Sequence, residues 1–70
     1  MNIDHLIKMV NEIAAFFAGE SGPELAAQEV ATHLRKFWEP RMRAQIVAHL
    51  EKGGAGLSDI ALGAVKLLAT

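Results

Sequence analysis

Along the first twenty positions, apolar side chains recur three and four apart at Leu6, Ile7, Val10, Ile13, Ala14 and Phe17. A turn of α-helix takes 3.6 residues, so this spacing gathers them on one face and predicts a helix over about 3–18. Asn2 stands where an N-cap belongs, and Asp4 lies in the first turn against the positive end of the helix dipole. Gly19 is the expected C-terminal cap. Ser21-Gly22-Pro23-Glu24 reads as a capping box that opens a second helix, over about 22–38. Its apolar stripe is Ala27, Val30, Ala31, Leu34, Phe37 and Trp38. Pro40 stops that helix near Trp38, because a residue before proline is pushed out of helical geometry. The same proline can open a third helix, over about 40–52, with Met42, Ile46, Val47 and Leu50 on one face.

Three glycines within Gly53-Gly54-Ala55-Gly56 cannot prolong a helix cheaply, so the run reads as a flexible linker. Ser58 then caps a fourth helix, over about 59–69. Leu57 and Leu62 flank that start as a hydrophobic staple, and Ala61, Ala64, Val65 and Leu68 form its stripe. No strand is expected. The fold class expected is all-α, a small bundle of three to four short helices in one domain over 1–70, with short connections that pack neighbours antiparallel.

Length changes the picture. A chain of 70 residues buries only about 60% of its unfolded surface, so its core alone is marginal. It has no cysteine, hence neither a disulfide nor a thiolate metal site to staple it. Its apolar fraction is nevertheless 51%, more than so small a bundle hides, and the surplus is expected to face another protein. No stretch approaches the roughly 18–20 apolar residues that span a bilayer. No basic segment followed by an apolar run suggests secretion, so a soluble, cytoplasmic protein with no membrane partner is expected.

The net charge of −1 hides an asymmetry. Residues 1–34 carry five acids and one lysine, whereas residues 35–70 carry six bases and three acids. Such polarity suits an oriented contact with a protein and argues against nucleic acid as partner.

No catalytic constellation is visible. His5, His33 and His49 are far apart and lack i+4 partners, so no metal site is expected and they read as surface or helix-edge residues. Ser21 and Ser58 are better explained as caps than as nucleophiles. The glycine run lacks the lysine and preceding strand of a phosphate loop. The informative segment is His33 to Arg43, which holds four of the seven Lys and Arg residues, the only tryptophan and one of two prolines. Bulky aromatics flanked by arginines are what binding hot spots are made of. Phe37 and Trp38 project about 100° apart on a helix, so one can anchor the core while the other meets a partner. Phe16 lies off the stripe of the first helix and is a second contact candidate. The partner-binding residues expected are therefore Phe16, Arg35, Phe37, Trp38, Pro40, Arg41, Met42 and Arg43.

Phe37-Trp38-Glu39-Pro40-Arg41-Met42-Arg43 resembles the Phe-Trp-(Asp/Glu)-Pro-Arg-Met-Arg signature of the delta subunit of soluble NAD-dependent formate dehydrogenases. The likeness extends to Leu6–Phe17 and to the glycine break before Leu57, and so covers nearly the whole chain. It departs at Val10-Asn11-Glu12, where family members read Ala-Asn-Gln. The resemblance implies a small non-catalytic accessory subunit that binds the large catalytic subunit and supports assembly or stability. The complex it implies is cytoplasmic and uses molybdenum or tungsten in a pterin cofactor, with iron–sulfur clusters and flavin in other subunits and no cofactor in this chain. The alternative reading is a small helical nucleic-acid-binding or regulatory protein using Arg35, Lys36, Arg41 and Arg43. Its recognition helix would, however, carry Met42, Ile46 and Val47, with few side chains that read bases. A membrane-surface helix is weaker still, since no helix sets a basic face against a broad apolar one.

Overall fold

A computed structural model of the chain describes residues 2–70. Four helices account for nearly all of it: α1 (Ile3–Ser21), α2 (Pro23–Phe37), α3 (Pro40–Glu51) and α4 (Asp59–Ala69), and no strand occurs among the described residues. The expected all-α bundle is borne out.

Local signals set most helix ends. The Asn2 Oδ1 accepts from the Asp4 amide at 2.8 Å, and the Ser58 Oγ accepts from the Ala61 amide at 3.2 Å, so both expected N-caps form. Pro40 opens α3 where its missing N–H costs no helical bond. The α1–α2 junction differs from the expectation. The first helix does not stop at Gly19 but continues to Ser21, and Gly22 serves as both its C-cap and the N-cap of α2. With φ at +82°, Gly22 adopts a backbone that side-chain-bearing residues rarely reach. The capping box is therefore not made: α2 has no side-chain cap, and the Ser21 hydroxyl donates instead to the Glu29 carboxylate at 2.8 Å.

The core takes Leu6, Val10 and Ala14 from α1, Val30, Ala31 and Leu34 from α2, Trp38, Ile46 from α3, and Leu57, Ala61, Ala64 and Val65 from the α4 region. The stripe of α2 is corrected at two places: Ala26 is fully buried beside half-buried Ala27, and Phe37 is outside the core. The most extensive packing of α2 is against α4 and α1. Small residues permit it: a methyl group at Gly63 would stand 3.4 Å from the Ala27 Cβ.

The glycine segment is a built loop rather than a flexible linker. The Asn11 side chain clamps it from α1, its Nδ2 donating to the Gly56 carbonyl at 2.8 Å and its Oδ1 accepting from the Ser58 amide at 2.9 Å. The His49 Nε2 donates to the Ala55 carbonyl at 2.7 Å. Gly54 is buried at φ +68°, and a Cβ there would meet the Leu62 Cδ2 at 2.7 Å and the Leu57 Cδ1 at 3.6 Å. The staple leucines thus close over a position that only glycine fits.

Candidate partner-binding surface

The end of α2 decides the fate of its two terminal aromatics. Phe37 is the last helical residue, and its ring is 70% exposed. Trp38 is the C-cap, with φ −86° and ψ 140° and its amide still donating to the Leu34 carbonyl at 3.0 Å, and its ring packs inward at 5% exposure. Trp38 is thus the aromatic that anchors the core, and Phe37 is the one left open. In this conformation Trp38 offers little contact area to a partner.

Phe37 is one end of an aromatic row across α1 and α2. Its ring lies 4.7 Å from that of His33, which is edge-on to Phe17 at 6.0 Å, and Phe17 is edge-on to Phe16 at 5.2 Å. Such tilted and edge-to-face arrangements are favoured because the positive ring edge meets the negative face. Phe17 is half-buried and packs on the core, while Phe16 is 61% exposed. A shallow groove of about 360 Å³ runs beside the row, with Phe17, His33 and Phe37 as its aromatic wall and Glu29, Thr32 and Lys36 along α2. His33 belongs to this face, which was not expected from sequence. The signal was present, since His33 and Phe37 stand four apart on one helix.

The arginines sort differently from the expectation. Arg43, half-buried, donates through Nη1 to the carbonyls of Trp38 at 2.7 Å and Arg35 at 3.1 Å, closing the C-terminal end of α2. Arg35 donates through Nη2 to the Leu67 carbonyl at 2.9 Å, near the end of α4. Both serve helix C-termini, where cations are favoured and terminal carbonyls lack intrahelical donors. Met42 is half-buried and packs on the core. Pro40 and Arg41 are exposed, and Arg41 has no hydrogen bond or ion pair among the described residues. Of the eight residues singled out, Phe16, Phe37, Pro40 and Arg41 therefore remain as open contact surface. Trp38, Met42 and Arg43 shape it from within, while Arg35 is tied to α4.

Among the described residues no polar or charged residue is buried, and there is no cluster of three or more potential metal ligands. A chain without cysteine also has no thiolate for an iron–sulfur cluster. Among the described residues no helix is long and apolar enough to cross a membrane. Residues 5–65 match the family model described as NADH-dependent formate dehydrogenase delta subunit FdsD. No curated protein and no solved structure matches the chain.

Proposed function

The chain belongs to the family of NADH-dependent formate dehydrogenase delta subunits, and we propose on that basis that it is a non-catalytic accessory subunit docking on the large catalytic subunit of such an enzyme. The observation that carries the reading is the aromatic row, which ends at both sides in a largely exposed phenylalanine. Exposed rings of this size are expected where a second protein covers them. A subunit of this kind acts by mass action. It binds the assembled form of its partner better than other forms and so stabilises it.

The enzyme served is a cytoplasmic formate dehydrogenase that uses molybdenum or tungsten and passes electrons to NAD through centres held by other subunits. This chain supplies surface and no redox chemistry. A nucleic-acid partner fits less well, because Arg35 and Arg43, two of the four cations it would need, are spent on the chain's own carbonyls.

Deleting the chain from cells that make the enzyme tests the role. Formate-dependent NAD reduction is expected to fall together with the amount of assembled, metal-loaded large subunit, and to return on re-expression. Unchanged activity and assembly without the chain would remove the proposal.

A further inference from the structure

We infer that the groove beside the aromatic row takes an amphipathic helix of the large catalytic subunit, one that inserts apolar side chains against Phe17, His33 and Phe37 and sets a carboxylate on Lys36. This inference rests on the docking role proposed above and specifies what docks.

Charge selects the occupant. Besides His33, two ionisable side chains of opposite sign, Glu29 and Lys36, line the groove along α2. Glu29 is engaged, accepting from the Ser21 hydroxyl at 2.8 Å. Lys36 is exposed, next to Phe37 in sequence, and has no hydrogen bond or ion pair among the described residues. Glu29 keeps its negative charge but is half-buried, whereas Lys36 is exposed, so the accessible charge at the Phe37 end of the groove is positive and a carboxylate answers it. The other free cation on this stretch, Arg41, follows four residues beyond Phe37, so the acidic end of the occupant belongs toward the C-terminal end of α2.

Shape selects a helix. Only helices border the groove, and their main-chain groups are already bonded within them, so no sheet edge is available to pair with an extended strand. The lining runs from Gln28 to Phe37, about 14 Å of helix axis at the α-helical rise, which matches two to three turns of a helix laid alongside. A small molecule is disfavoured, because none of the polar residues lining the groove is buried to fix its orientation.

Carbodiimide coupling of the intact enzyme complex tests this, since the reagent joins an amine to a carboxylate only when they touch. The chain has four lysines, Lys8, Lys36, Lys52 and Lys66. Peptide mapping is expected to find Lys36 joined to an Asp or Glu of the large subunit, within a stretch whose apolar residues recur three and four apart. A complex that forms but couples only through the other lysines overturns the inference and leaves the docking role standing. Absence of the large subunit from the purified complex overturns the docking role itself. Coupling of Lys36 to a second copy of this chain also overturns the inference, in favour of self-association.

Lys36→Glu supplies an independent readout, because an exposed helical position leaves the fold intact. Affinity for the large subunit is expected to fall about five- to tenfold at low salt, and the difference from wild type to shrink as salt screens the pair. Equal affinity at low salt counts against the inference.

Discussion

Phe37 and Trp38 are adjacent, equally bulky and oppositely disposed, so truncating each to alanine should damage different properties. Trp38 is 5% exposed and belongs to the core cluster. Removing such a ring leaves a cavity and costs roughly 3–5 kcal/mol. Marginal stability of about 0.05–0.15 kcal/mol per residue puts the whole chain at about 4–10 kcal/mol, so Trp38→Ala should lose a third of it or more. Each kcal/mol moves the melting temperature of a domain this size by about 4–8 °C, a shift that circular dichroism resolves easily. Phe37 is 70% exposed, and its truncation should change stability by no more than about 0.5 kcal/mol. In complex with the large subunit it should behave as a hot spot, costing about 2 kcal/mol or more, which is about thirtyfold in Kd. Thermal melts of the free chain and titration calorimetry against the large subunit read the two quantities separately. The reasoning is refuted if Trp38→Ala melts like the wild type, or if Phe37→Ala binds like it.

Three further perturbations probe how the surface is held. Arg43→Ala removes charged hydrogen bonds to two carbonyls at the end of α2 and should destabilise the chain by about 1.5–3 kcal/mol in urea melts, whereas Arg41→Ala should leave stability unchanged and weaken binding. Lysine at position 43 should recover only part of the loss, since an ammonium does not reproduce the guanidinium fork. Gly54→Ala forces a left-handed backbone and a contact with Leu62 that must shift, for a loss of at least about 1–3 kcal/mol by the same melts. Asn11→Ala releases the loop from α1, so the Ser58 amide should exchange hydrogen for deuterium markedly faster than in the wild type.

Features governed by near neighbours were legible in the sequence. Asn2, Pro40 and Ser58 each act within three residues, and the helices they open start where expected. The junction at Gly22 was harder, because one positive-φ glycine ends α1 and begins α2 at once. Ser21 is left inside the first helix, and its hydroxyl goes to Glu29, eight residues on. The adjacent aromatics could be recognised as a divided pair, but which one turns inward is settled by packing against the other helices. Arg41 and Arg43 look alike in the sequence, both set in the first turn of α3 against its dipole. Only the return of Arg43 to the Trp38 carbonyl explains one of them. The Asn11 clamp spans 45 and 47 residues, and the Phe17–His33 contact joins two helices, so neither leaves a local periodic trace.

Docking through the aromatic face is tested most directly by tagging the chain, replacing Phe16 and Phe37 together by aspartate, and isolating each form from cells that make the formate dehydrogenase. Wild type should bring down the large catalytic subunit. The double variant should come down alone while keeping its helical circular dichroism spectrum, because both rings are exposed. A folded double variant that retains the large subunit at the wild-type level would contradict the assignment of this face.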